Sequence, residues 1–193
     1  MRRYLLEHVV GVAVVQIYAD GFPALSLREK QLVWHLYLPA IAGRDIYYDQ
    51  RYAHNLAMRE VVEEILTHAS GIDAETLAEI QRYTKLFWIN TGPYNNLTAR
   101  KFLLKCTPEA FAAAAAQAAR NGARIPPALD RLTPYFFDPD VDPIVTNKTP
   151  GPGKDILQAS ANNLYGGVTM ADLAGFEERY PLNSRVVKRN GKL

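Results

Sequence analysis

The sequence predicts a mainly α protein with a minor β part, an α+β fold. Three observations point there. Four segments place apolar residues at helical spacing behind recognisable caps, a Pro- and Gly-dense stretch interrupts them over 123–168, and short β-branched runs stand near both ends. The 193 residues are 48% hydrophobic and 22% charged, values of an ordinary globular chain. A formal net charge of +2 gives no polyelectrolyte argument, which sets aside nucleic acid and acidic membrane surfaces as partners. The single cysteine, Cys106, excludes an internal disulfide and suits a reducing compartment.

Arg2 and Arg3 precede the apolar run "VVGVAVV" (9–15), the outline of a secretory leader. Glu7 and His8 interrupt the approach, Gln16 closes the run, and no small-x-small cleavage pattern follows. The run is also far short of the ~20 residues that span a bilayer. It reads as one buried strand, "VVGVAVVQIY" (9–18), of a cytoplasmic protein without membrane partners.

The first helix opens with a capping box, Ser26 and Glu29, and continues with Leu32, Val33, Leu36, Ala40 and Ile41 on one stripe. Pro39 is expected to kink it and Gly43 to end it. A second helix is expected over 53–69, with Met58, Val62, Ile65, Leu66 and Ala69 facing inward and Gly71 as terminator. Asp73 caps a third, whose inner face is Leu77, Ile80, Thr84, Phe87 and Trp88. Thr107, Pro108 and Gly122 delimit a fourth around an alanine run.

From 123 to 168 the density of Pro, Asp and Gly argues against long regular elements, while Tyr135, Phe136 and Phe137 argue for an ordered wrap over the helices. "TMADLAGFEERY" (169–180) reads as a short helix capped by Thr169 and Asp172. Residues 184–189 read as a strand, and Asn190-Gly191 as a tight hairpin turn whose return leg is missing, the expectation for a longer polypeptide truncated within a β-hairpin.

Candidate chemistry is sparse. Glu60, Glu64 and His68 share a helix face, where a solvated ion-pair stripe is the common outcome, and an unrelated hydrolase built on them would need a metal. "PGPGKD" (150–155) lacks the spacing glycine and the hydroxyl of a phosphate loop. Cys106 precedes a helix but has no adjacent base. "GRDIYYDQRYAHN" (43–55) has two readings, a polar, aromatic-lined cleft wall or a helix connector with its own ion pairs, of which the connector is favoured because ion pairs commonly staple such loops. These readings leave no catalytic residue and no metal ligand assigned to the chain.

"LFWINTGPYNNLTARKF" (86–102) differs, because amides and a phenol surround a Gly-Pro corner between two helical segments. Amides donate and accept, which suits a loop holding a peptide backbone or its terminal ammonium. The stretch resembles the first shared motif of the dipeptidyl peptidase III family: aromatic, Asn, Gly, Tyr, then Lys-Phe. "LSLREKQLVWHLYLPAIAGRDIYYDQRYAHNL" (25–56), "SANNLYGGVTMADLAGF" (160–176) and "YPLNSRVVKRNGKL" (180–193) resemble further stretches of that family, in order along nearly the whole chain.

The resemblance implies that residues 1–193 form part of the N-terminal lobe of a two-lobed zinc exopeptidase releasing dipeptides from the N-termini of oligopeptides. Zinc in the full-length family enzyme sits on the other lobe, on a His-Glu-x-x-Gly-His motif and a further glutamate. This sequence contains none of those elements, so no cofactor is expected on it and the chain alone is expected to be inactive. Its implied partners are an oligopeptide substrate and the C-terminal catalytic lobe. Asn90, Gly92, Tyr94, Asn95 and Asn96 match the family loop bordering the pocket for the substrate's N-terminal residues. Leu97 falls where some relatives carry an aromatic. The alternative from another class is a free-standing helical module that binds peptide or protein without catalysis.

Overall fold

The computed structural model describes residues 2–126, 129–177 and 185–193, and the chain divides into two compact units, Met1–Ile46 and Tyr47–Leu193. The architecture is mainly helical with small β pairs.

In the first unit the strand expected over 9–18 is instead split by a hairpin turn. Strands β1 (Leu5–Val9) and β2 (Val12–Val15) pair antiparallel, with Val9 opposite Val12. The reason lies in Val10 and Gly11, which take φ of 48° and 79° and make a two-residue turn. A β-branched residue is rare in that region, so the turn was hidden inside an apolar run. Only Val9 of the hairpin is buried. Helix α1 (Leu27–Ala42) begins as expected: Ser26 Oγ accepts from the Glu29 amide at 3.3 Å, and Glu29 Oε2 accepts from the Ser26 amide at 2.8 Å. Pro39 lies inside it and Gly43 follows it. However, no residue of α1 is buried, including the expected inner stripe of Leu32, Val33, Leu36, Ala40 and Ile41. A hairpin and a single helix are too small a unit to enclose a core of their own.

Tyr47–Leu193 holds the main core. Helix α2 (Arg44–Arg51) makes the expected connector helical, and Tyr48 is its buried residue. Helix α3 (Asn55–Thr67) buries Met58, Val61, Val62 and Ile65. Helix α4 (Ala74–Asn90) starts at Asp73, whose Oδ2 accepts from the Thr76 amide at 2.9 Å, and buries Ile80, Tyr83, Thr84 and Phe87. Trp88, expected inside, is 47% exposed; its indole donates to Glu63 Oε1 at 2.8 Å, which satisfies the ring nitrogen at the surface. Leu77, Leu66 and Ala69 are half-buried. Helix α5 (Pro108–Arg120) is capped by Thr107 and lays Ala114, Ala115 and Ala118 against the pair, small side chains that let backbones approach.

The Pro-rich wrap contains a helix that its composition concealed, α6 (Leu129–Phe137), with Pro134 inside. Proline there removes one backbone donor, and aromatic burial outweighs that loss. Phe136 is wholly buried, 5.0 Å from the Phe111 ring and 5.7 Å from Tyr83. Beyond α6 the chain runs extended: Val145 N donates to Ala99 O at 3.0 Å, and Ala161 N to Ile144 O at 3.1 Å, so 144–145 lies between two neighbours.

Strand β3 (Tyr165–Gly166) pairs parallel with β4 (Val186–Val187). The expected strand 184–189 therefore narrows to two ladder residues, and Ser184 lies outside the described residues. Asn190-Gly191 makes the anticipated turn, at φ 51° and 76°, closing Arg189 on Lys192. Thr169 and Asp172 form their reciprocal cap, but the chain from there to Phe176 makes a series of turns closed by bonds between residues three apart rather than an α-helix. Residues 178–180 of that expected helix lie outside the described residues. Among the described residues no helix is long and apolar enough to cross a membrane.

Phe136 joins α6 to α4 and α5, so Phe136→Ala should lower the unfolding free energy by about 3–5 kcal/mol, read from urea denaturation.

Candidate functional site

Helix α4 ends abruptly. Thr91 turns left-handed at φ 53°, and Gly92 follows at φ 129° with its amide donating to Phe87 O at 2.9 Å. The wholly buried Asn55 stands against this corner: its Nδ2 donates to Tyr48 O at 2.8 Å and to Thr91 O at 3.1 Å. A Cβ on residue 92 would meet Asn55 Oδ1 at 2.6 Å, so both the backbone angle and the close approach require glycine.

Past the corner, Tyr94 is wholly buried; its hydroxyl donates to Asp142 O at 2.8 Å, and its carbonyl accepts from Arg51 Nη2 at 3.1 Å. Asp142, itself at φ 49°, accepts from Tyr52 Oη on its carboxylate at 2.8 Å. Burial drives the Tyr52 and Tyr94 phenols well above their ordinary range, so both stay protonated donors. Lys101 Nζ donates to Val141 O, and burial lowers its pKa against the pull of Asp142 and Asp138. These bonds fix 141–145 beside the 94–101 loop.

The loop itself is an Asx turn. Asn95 Oδ1 accepts from the amides of Leu97 and Thr98 at 2.9 and 3.0 Å, while its carbonyl accepts from the Ala99 amide at 2.8 Å. Asn90 sits behind, buried, donating to Leu86 O at 2.9 Å and accepting from the Asn96 amide at 3.0 Å. Asn96 is exposed and Leu97 is 95% exposed.

The six residues singled out in the sequence thus divide. Asn95, Asn96 and Leu97 line a groove of about 590 Å³ between residues 95–100 and 144–149; Asn90, Gly92 and Tyr94 lie outside its lining and shape the loop. Arg51 and Arg100 line the same groove, with Thr146, Asn147 and Lys148 opposite. The opposite wall was missed in the sequence. Its only signal, the "NKT" triplet at 147–149, has the form of a glycosylation site.

The other candidates do not assemble. Glu64 and His68 stand 3.4 Å apart, but Glu64 Oε2 also accepts from the Arg124 amide at 2.8 Å, and Glu60 is not part of the pair. Among the described residues no three His, Cys, Asp or Glu side chains converge on a point where a metal ion could be held. The residues do not fit zinc, and no chemical step through a metal is assigned to them. Cys106 borders a second cavity, of about 580 Å³ between α4 and α5, where burial first and Glu79 second raise the thiol pKa, against nucleophilic use. Glu79 there is already held by Arg82 at 2.5 Å and by the Lys105 amide at 2.7 Å. No protein-family model matches this chain, and no curated protein matches it in sequence.

Gly92→Ala should cost about 2–4 kcal/mol of stability in chemical denaturation, combining the strained angle with the clash on Asn55. Beside the same knot, His54 stacks 3.8 Å from the Tyr135 ring, and burial lowers its pKa although Asp142 opposes this. Below about pH 6.5 the unfolded chain takes up this proton while the folded imidazole stays neutral until its own lower pKa, so stability falls on acidification. The drop in melting temperature between about pH 7.5 and 5.5 should be smaller in His54→Phe than in the parent.

Proposed function

We propose that this chain supplies a peptide-binding wall of a dipeptidyl peptidase III-like, zinc-dependent exopeptidase. The observation that carries the reading is the groove: three consecutive residues of the stretch resembling that family, Asn95, Asn96 and Leu97, line one side of an open polar channel. A short peptide lies along it, with Leu97 offering apolar contact and the amide and hydroxyl groups bonding to its backbone. Water activation and bond cleavage belong to a zinc-bearing region outside these 193 residues, so the role here is binding and orientation.

A second reading, a peptide-binding module that acts without a catalytic partner, draws on the core of Tyr47–Leu193 closing upon its own side chains. The two part on whether hydrolysis accompanies binding. Chelator-sensitive dipeptide release by the native protein purified from its source supports the first, and binding without release supports the second.

The 193-residue chain itself should bind a fluorescent tetrapeptide and release no arylamine from a dipeptidyl arylamide. Leu97→Ala should weaken that binding roughly threefold to tenfold without moving the melting temperature, since the side chain is solvent-exposed before binding. Arylamine release by this chain, or unchanged peptide affinity in Leu97→Ala, would overturn the reading.

A further inference from the structure

We infer that the groove between residues 95–100 and 144–149 receives a carboxylate of the bound peptide, through Arg51, Arg100 and Lys148. The inference rests on the peptide-binding reading above. It departs from the expectation that this loop meets the ammonium end of a substrate.

The lining holds three cations and no aspartate or glutamate. An ammonium placed there would meet like charges with nothing to balance them, whereas a carboxylate would meet the opposite sign. Among the described residues neither Arg100 nor Lys148 pairs with a carboxylate of the chain. Arg51 is held in place by the bond from its Nη2 to Tyr94 O, and its Nε is buried without an acceptor.

Hydrogen-bonding capacity points the same way. An asparagine amide normally offers both a donor and an acceptor. Here Asn95 Oδ1 is taken by the Leu97 and Thr98 amides, and Asn147 Oδ1 by the Thr149 amide at 3.2 Å. The two turns consume the acceptor ends and leave the Nδ2 groups as donors without a partner among the described residues. A groove with three cations, and with the side-chain oxygens of Asn95 and Asn147 engaged while their Nδ2 groups remain, matches a group that only accepts and carries negative charge. Carboxylate is that group on a peptide, and guanidinium can bind it through two parallel bonds.

The carboxylate has two sources, an acidic side chain or the free C-terminus, which three labelled tetrapeptides separate. One is neutral and C-terminally amidated, one is the same peptide with a free C-terminus, and one is amidated with an aspartate. Fluorescence anisotropy on the full 193-residue chain should show the amidated neutral peptide binding about tenfold more weakly than at least one of the others. The tighter of the two identifies the source. Arg100→Gln and Lys148→Gln, both at exposed positions, should erase about three- to tenfold of that preference and retain the parent's circular dichroism. Equal affinity for all three peptides would overturn the charge assignment while peptide binding stands. If no peptide binds, the peptide-binding reading falls with it. Binding of inorganic phosphate with no peptide bound would assign the groove to free anions and overturn the inference.

Discussion

The structure around the groove depends on one buried amide, that of Asn55. Its Nδ2 ties the carbonyl of Tyr48 in α2 to that of Thr91 at the end of α4, while its own backbone opens α3. Three helices are therefore fixed at one point, and the left-handed exit of α4 is braced there. The arrangement leaves Asn55 Oδ1 buried without a partner, a local cost of about 1–3 kcal/mol. Gly92 presses on the same amide, so the exit direction of the chain is set by contact as well as by hydrogen bonding. Tyr94 then enters the core directly, and its hydroxyl reaches the Asp142 backbone. With Tyr52 on the Asp142 carboxylate, two phenols hold one strained residue and through it the segment that forms the far wall.

Much of the helical layout was legible because caps are local. Ser26 with Glu29, Asp73 and Thr107 each bond within three residues, and all formed as read. The Asn190-Gly191 turn was legible for the same reason. Local signals failed where a local penalty was overridden from afar. Val10 in a left-handed turn hid a hairpin, and Pro134 hid α6, whose aromatics are secured by Phe111 and Tyr83 on other helices. The face of α1 failed differently. A helical stripe predicts a buried side only if something is available to cover it, and residues 1–46 build no core large enough.

The site was half legible. A crowd of amides around Gly92-Pro93 marked residues 90–97, and glycine at 92 has the reason expected of it, close approach at a positive φ. Which residues face the groove could not be read, because Asn90 and Tyr94 look as polar in sequence as Asn95 and Asn96 yet are buried beneath the loop. The opposing wall arises from the pairing of Arg100 with Ile144, residues far apart in the chain and joined by no periodicity. Pairing of that kind is decided by the tertiary bonds of Asp142 and Lys101, which no short window contains.

Loop chemistry and site electrostatics prove to be one problem. An asparagine that closes a turn on itself gives its oxygen to the backbone and keeps only its donor for a ligand. Asn95 and Asn147 do this on opposite walls, so the polarity of the groove follows from how the two loops are built. The neighbouring cations sort by the same rule. Lys101 is drawn inward by the Val141 carbonyl and is absent from the lining, whereas Arg100, one residue earlier and on the other side of an extended backbone, remains in it. Alternation along one short extended segment thus assigns one charge to holding the wall and the other to the space between the walls.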